Sequence, residues 1–363
     1  MSSVRLTAAQ RAGVLLCLLS LPLAAQIGSD DPSALPSEIM PRASHSLLLD
    51  VVHADSGWFA VGERGHVLSS SDGKQWTQVE VPTRSALTTI TAVGDQLWAG
   101  GHDGVIIHSA DGGKTWTAQR RDPFQLAAGE NPADHDPRQG KPVMDILFTD
   151  ASHGIAIGAY SLMLVTSDGG ATWTPRQAMA TQSAPVERAA PTGDVFSEAD
   201  LQLDEESDPH LNAIASTGPD AMVIVGERGT VLRSSDGGNS WQKQAFPYKG
   251  SMFGVLALGN GRVLAYGLRG NVYESNDGGS SWSKVPAQGS VSLMGGSALE
   301  NGGVVLAGAN GTILMRASAD APFVATAFRN AAGEMPTLSG VVPAGDGNYV
   351  LVGDKGADLA PLK

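Results

Sequence analysis

Arg64, Arg228 and Arg269 occupy the same third place in a recurring Gly-x-x-Gly tetrapeptide, read as Gly62-Glu63-Arg64-Gly65, Gly226-Glu227-Arg228-Gly229 and Gly267-Leu268-Arg269-Gly270. Three guanidinium groups at one turn position offer forked donors suited to a carboxylate, a phosphate or main-chain carbonyls. Other copies place His102 and Asp103 in Gly101–Gly104, and Asn310 in Gly308–Gly311. Tyr160 stands in an imperfect copy, Gly158-Ala159-Tyr160-Ser161, and Gly353-Asp354-Lys355-Gly356 makes seven. Tyr248 and Lys249, in Pro247-Tyr248-Lys249-Gly250, add the aromatic and basic groups common at protein-binding hot spots. The plain alternative is that long polar side chains are ordinary at exposed turns.

The same residue types could serve glycoside hydrolysis. A sialidase needs an arginine cluster for the substrate carboxylate, a Tyr–Glu nucleophilic pair and an acid/base Asp, and Arg64, Arg228, Arg269, Tyr160 and Asp103 supply those types. The accompanying Arg-Ile-Pro signature is missing; Met40-Pro41-Arg42 is not it. Nothing points to a metal or another cofactor: the eight histidines are scattered, and Asp134-His135-Asp136 lies in loop-like sequence. No Gly-x-Ser-x-Gly elbow or phosphate loop occurs, so no catalytic residue is assigned.

The elements that position these turns are set by a second motif, Ser109-Ala110-Asp111-Gly112-Gly113-Lys114-Thr115-Trp116. The carboxylate accepts N–H bonds across a tight turn, the glycines supply positive φ, and the tryptophan starts the next strand. Copies pair Asp168 with Trp173, Asp236 with Trp241 and Asp277 with Trp282, and one shorter by a residue pairs Asp72 with Trp76. Ser318-Ala319-Asp320 before Phe323 reads as an eroded copy. Alternating apolar runs flank each Gly-x-x-Gly, the period of half-buried strands.

Two motifs in phase define a repeat, and seven copies predict an all-β, seven-bladed β-propeller with four-stranded antiparallel blades. Gly-x-x-Gly should join strands two and three of a blade, and the Asp turn strands three and four. Blades are expected to start near Leu47, Leu87, Val143, Leu211, Phe253, Leu293 and Leu338. The seventh runs out of chain after about three strands, so Pro36 to Ser44 is expected to close the ring as an N-terminal strand. A single propeller should span 36–363, preceded by a flexible segment at 26–35.

Residues 1–25 carry Arg5, Arg11, an apolar run from Ala12 to Leu23 and Leu23-Ala24-Ala25, the pattern of a secretory signal peptide. Cys17 is the only cysteine and lies inside that run, so the exported protein would use neither disulfides nor thiol chemistry. No other stretch is long and apolar enough to span a membrane. Beyond residue 25, 22 basic residues face 37 acidic ones, a formal charge of −15, which argues against nucleic acid as a partner. A periplasmic location is expected, with secretion the alternative.

Two blade-to-blade links are longer than the rest, at about 121–142 and 177–210, and both should emerge on the Gly-x-x-Gly face. The second is acidic from Glu187 to Asp208. It reads as a solvated acidic loop, as a docking segment for a basic surface, or as a calcium loop without the usual ligand spacing. Loops held by a rigid scaffold are where function concentrates.

The repeated Val-Gly-Glu-Arg-Gly and Ser-x-Asp-Gly-Gly-x-Ser/Thr-Trp, with Val143-Met144-Asp145-Ile146-Leu147-Phe148 opening blade three, resemble the Asp-box (BNR-type) propellers related to the photosystem II assembly and stability factor. The resemblance covers about Leu47 to Gly356. In the photosynthetic members a seven-bladed propeller holds a newly made membrane subunit through an arginine-rich patch, and Arg64, Arg228 and Arg269 are the matching candidates. In non-photosynthetic Gram-negative bacteria the resemblance implies an envelope role beside a resistance-nodulation-division type exporter. The expectation is thus a non-catalytic exported propeller that binds an envelope or membrane protein as an assembly or accessory factor, with carbohydrate binding or glycoside cleavage as the alternative.

Overall fold

The inner strands of seven sheets begin at Leu48, Leu87, Val143, Leu211, Met252, Leu293 and Leu338, each within one residue of the expected start. The computed structural model describes residues 31–123, 140–178 and 208–362. Blade one shows the common plan, with antiparallel strands at Leu48–Ala54, Gly57–Gly62, Val67–Ser70 and Thr77–Val79 paired in chain order. Its second strand, Gly-Trp-Phe-Ala-Val-Gly, is buried at five of six positions because neighbouring blades cover both of its faces. That double coverage explains a continuous apolar run where a one-sided strand would alternate. Phe59, Val61 and Val67 then pack on Leu87, Leu97, Ile107 and Trp116 of blade two. Burying side chains of this size contributes roughly 1.5–3 kcal/mol each.

The chain folds as a seven-bladed β-propeller. Six sheets have four strands; among the described residues the seventh has three, at Leu338–Gly345, Asn348–Gly353 and Gly356–Pro361. In blade six the eroded turn still works, since Phe323 is buried where a tryptophan stands elsewhere and a fourth strand follows at Val324–Ala327.

Closure of the ring departs from expectation, because Pro36 to Ser44 does not pair as a fourth strand of blade seven. It runs instead along the outer edge of blade one. The Ser37 N–H donates to the Val81 carbonyl at 2.8 Å, the Val81 N–H to the Ser37 hydroxyl at 2.9 Å, and the Met40 N–H to the Gln78 side chain at 2.7 Å. Pro36 and Pro41 lack the N–H that a ladder requires, so side-chain bonds replace one. A 3-10 turn at Ala43–His45 follows, and Ala43 and Met40 cover the junction of blades one and seven beside Leu48, Val51, Trp58, Val350 and Val352. Closure therefore comes from face-to-face packing.

Residues 31–35, part of the stretch expected to be flexible, are tied down. The Pro32 carbonyl accepts the Arg84 N–H at 2.7 Å, the Ser33 carbonyl accepts Arg121 Nε–H at 2.6 Å, and Ser33 is fully buried. The expected signal peptide at 1–25 and most of both long links lie outside the described residues. Among the described residues no helix is long and apolar enough to cross a membrane.

Candidate functional site

Strand direction sends the Asp turns to one end of the ring and the Gly-x-x-Gly turns, with the blade-to-blade links, to the other. At the first end the Asp-turn carboxylates are consumed internally. Asp111 accepts the Thr115 hydroxyl at 2.7 Å, the Thr115 N–H at 2.9 Å and the Ser109 hydroxyl at 2.8 Å, while the Trp116 indole N–H reaches the Gly113 carbonyl at 3.1 Å. The Thr115 hydroxyl and N–H bonds, with that from Ser109, hold the Asp111 carboxyl down at about 2, and equivalent bonds hold Asp168, Asp236 and Asp277 there. Asp72 is lowered as well, chiefly by the Gln75 and Lys74 N–H groups. Trp116 and Trp282 are buried; Trp76, Trp173 and Trp241 are half-buried. Trp76 and Trp282 repeat the indole bond, to Gly73 at 3.2 Å and Gly279 at 3.0 Å. Trp173 instead reaches Gln119 at 3.4 Å, and the buried Trp241 indole nitrogen has no hydrogen-bond partner among the described residues.

At the other end six turns share one backbone. Arg64, Asp103, Tyr160, Arg228, Arg269 and Asn310 all have φ between 53° and 57°, in the left-handed region. That conformation costs an ordinary L-residue roughly 1 kcal/mol. In blade seven the turn is a two-residue hairpin closed by Gly353 and Gly356. The glycine after each arginine is obligatory in blades one and four. A β-carbon on Gly65 would collide with the Thr83 carbonyl oxygen, and one on Gly229 with that of Tyr248.

The proposed contact residues are not equivalent. Arg64, His102, Lys249, Arg269 and Asn310 are exposed, and Arg228 is half-buried. Arg228 and Arg269 belong to adjacent blades four and five, whereas Arg64 stands across the ring in blade one. Asp103 serves as a clasp, accepting the Ser85 hydroxyl at 2.6 Å. Tyr248 packs beside Tyr273 with ring centroids 6.0 Å apart, its hydroxyl 3.5 Å from the Leu268 carbonyl. Tyr160 joins a rim cluster: the Lys141 ammonium lies 5.0 Å above its ring, His210 packs at 5.1 Å, and His210 is 3.6 Å from Glu227.

Between these turns opens a central cavity of about 570 Å³ that motif reasoning missed. All seven inner strands carry a β-bulge one residue from their start. A bulge leaves one residue unpaired and re-aims it. Here the seven extra residues ring the cavity mouth: Leu49, Met144, Phe253 and Met294 are apolar, while Thr88, Asn212 and Ser339 bond to the next blade. Below them, Asp50 accepts the Val51 N–H and the Ile90 N–H of blade two, both at 2.8 Å. Asp145 accepts the Ile146 N–H at 2.8 Å, the Ile214 N–H of blade four at 2.9 Å and the Thr89 hydroxyl at 3.2 Å. Burial pushes the Asp50 carboxyl up to about 6 and that of Asp145 to about 7, the second helped by the charge of Asp50. Each aspartate breaks an apolar inner strand at its third residue, which was a usable sequence signal.

The fold and its two unlike ends define a BNR-type seven-bladed β-propeller whose Asp-turn carboxylates are satisfied internally at one end. Residues 137–357 match the Photosynthesis system II assembly factor YCF48 family, and residues 39–134 match a DUF6242 beta propeller domain. The chain belongs to the YCF48 family. It is 30% identical over 118 residues to the Photosystem II assembly lipoprotein Ycf48 of Synechococcus sp. (strain CC9902), a stretch that is 32% of this chain and 28% of that relative. A solved structure of YCF48 bound to D1 peptide superposes with a TM-score of 0.61 at 15% identity, covering 90% of this chain and 96% of that one. The GH74 enzyme of Niastella koreensis superposes with a TM-score of 0.62 at 11% identity, over 88% of this chain and 53% of that one. At such identities the superpositions establish a shared fold.

Proposed function

We propose that this protein is a non-catalytic, exported propeller whose Gly-x-x-Gly face holds another envelope or membrane protein as an assembly or accessory factor. The observation that carries the reading is the contrast between the ends. The Asp turns satisfy their own polar atoms, whereas the opposite face presents Arg64, Arg269, Lys249 and Asn310 to solvent from a rigid, buried scaffold. Both long links leave from that same face. Family membership supports an assembly role, and the YCF48 structure with a bound D1 peptide supports a membrane-protein segment as the kind of partner. The leader-like sequence at 1–25 supports a periplasmic location, and an exporter of the resistance-nodulation-division type is the envelope machine that the resemblance suggests.

The test is capture from native membranes with crosslinking, comparing the wild type with Arg64→Glu, Arg228→Glu and Arg269→Glu combined. Substitutions at exposed turns such as those of Arg64 and Arg269 usually change stability by less than about 0.5 kcal/mol each. Arg228 is half-buried, so a melting curve of the triple variant accompanies the capture, which should be lost while folding survives. A folded triple variant that still captures the same partner at the wild-type level would sink the assignment.

A further inference from the structure

The central cavity is built as a receptor at several levels. Its mouth is greased by Leu49, Met144, Phe253 and Met294, with Met294 37% exposed. Its lining holds three carboxyl groups, Asp50, Asp145 and Glu227, and neither a lysine nor an arginine. On one wall the Tyr266 ring lies over Gly254, where a β-carbon would collide with it, and close beside Gly296. Tyr266 is 5% exposed and lines the cavity, and its hydroxyl forms no hydrogen bond with the described residues. The ring is thus buried while its hydroxyl opens on the cavity without a protein partner, which leaves it available to a ligand. Asp50 and Asp145 both bear on the ionisation of this phenol, which puts the three groups in one electrostatic neighbourhood.

We infer that the channel mouth binds an aliphatic-stemmed cation, a lysine or arginine side chain of the protein partner, with its methylene stem between the bulge residues and its charged head among Asp50, Asp145 and the Tyr266 hydroxyl. The stem matches the mouth because long basic side chains bury their methylenes and keep only the head polar. The head matches the depth because both aspartates keep lone pairs beyond their two N–H bonds, and Tyr266 can accept as well as donate. The volume falls in the range of small-ligand pockets and leaves room for the backbone turn carrying the side chain. Only the word "partner" in this inference rests on the function proposed above. The arginine variants leave the channel lining intact, so the two ideas fail separately.

The experiment uses the full chain with methyl-labelled methionine, read by NMR, because Met144 and Met294 report the mouth while buried Met163 and Met222 report the fold. Probes are N-acetyl-arginine methylamide, N-acetyl-lysine methylamide and the uncharged N-acetyl-norleucine methylamide. The two cations should give saturable shifts at Met144 and Met294, with norleucine at least about ten-fold weaker, the weight of one charged hydrogen bond. Asp50→Asn with Asp145→Asn should lose about the same factor with Met163 and Met222 unmoved. Should that variant not fold, Tyr266→Phe keeps the ring and should weaken binding roughly three-fold. Equal binding of norleucine, no saturable shift at Met144 and Met294, or wild-type binding by the folded variants would overturn the inference.

Discussion

The Ser339 hydroxyl donates to the Leu48 carbonyl at 2.8 Å, joining the inner strand of the last blade to that of the first across 291 residues of chain. Bonds of this kind recur around the axis: Asp50 reaches from blade one to Ile90, Thr88 from blade two to Val143, Asp145 from blade three to Ile214, and Asn212 from blade four to Met252. Ser297 continues it from blade six to Val341 at 2.7 Å. Closure is thus shared among small clasps and apolar packing, with no single strand as a latch.

Removing the Ser339 clasp should accordingly be mild, and removing the N-terminal cover should not. Ser339→Ala is expected to cost about 1 kcal/mol in urea unfolding, the net worth of one hydrogen bond. Deleting residues 31–45 strips the Ser37–Val81 bonds and uncovers the junction that Ala43 and Met40 fill, so it should cost several times more and promote aggregation. Equal midpoints for the deletion and the wild type would show that the segment's cover adds nothing to that junction.

Two sets of carboxyl groups push the pH dependence of stability in opposite directions. Asp50 and Asp145 titrate near 6 and 7 in the folded chain, above their unfolded value of 3.8. Their stabilising contribution is therefore complete below about pH 4 and lost as pH rises through about 6 to 7. The Asp turns, held at about 2, contribute above about pH 4 and lose that as pH falls through about 2. The melting midpoint should decline between about pH 4 and 7, and Asp50→Asn with Asp145→Asn should flatten that limb. An unchanged slope in the double variant would show that these carboxyls are not the cause.

The repeat tryptophans should respond according to burial and indole bonding. Trp116 is 7% exposed and bonded to Gly113, so Trp116→Ala is expected to cost roughly 3–5 kcal/mol. Trp241→Phe removes an indole nitrogen that is already without a partner and should be near neutral, while Trp116→Phe should lose about 1 kcal/mol. Chemical denaturation of the three variants separates these outcomes; similar losses for the two phenylalanine variants would contradict the assignment.

Blades five and six meet through a buried ion cluster in which Glu274 binds Arg262 and, at 2.6 Å, Arg316. Arg316 is 3% exposed, with Nε and Nη2 making no hydrogen bond among the described residues. Glu274→Ala would leave that guanidinium buried without its counter-charge, and a loss of about 3–5 kcal/mol is expected. A loss under about 1 kcal/mol would mean that the charge reaches solvent easily.

Arg64 and Arg269 hold φ of 55° and 57°, so asparagine, which tolerates the left-handed region better, should stabilise either turn by a few tenths to about 1 kcal/mol. Gly65→Ala should do the reverse, because its φ is 69° and the β-carbon meets the Thr83 carbonyl. Paired melting curves test the backbone account independently of binding.

Seven blades were legible in the chain because each turn is a local problem with few chemical solutions. A left-handed turn calls for glycine beside Arg64 or Arg228, a hairpin crossing calls for Asp111 with its glycines, and a strand sandwiched between blades calls for an unbroken apolar run such as Trp58 to Val61. The missing fourth strand of blade seven could also be counted. Where Pro36 to Ser44 goes could not, since two prolines interrupt its ladder donors and only the packed ring shows it bonded to Val81 and Gln78 of blade one instead of pairing with blade seven.

The sequence by itself determined the repeat, the strand order and the end of the ring from which each candidate residue emerges, because period and turn chemistry act over a few residues. Tertiary structure alone decided which of those residues are free to act: Asp103 is bound to Ser85, Tyr248 is packed on Tyr273, and Arg64 lies across the ring from Arg228 and Arg269. It alone also brought Asp50, Asp145 and Tyr266 together around the axis. They lie in three different blades, and nothing local relates residues 95 or 121 positions apart until closure turns seven equivalent strand starts toward one line.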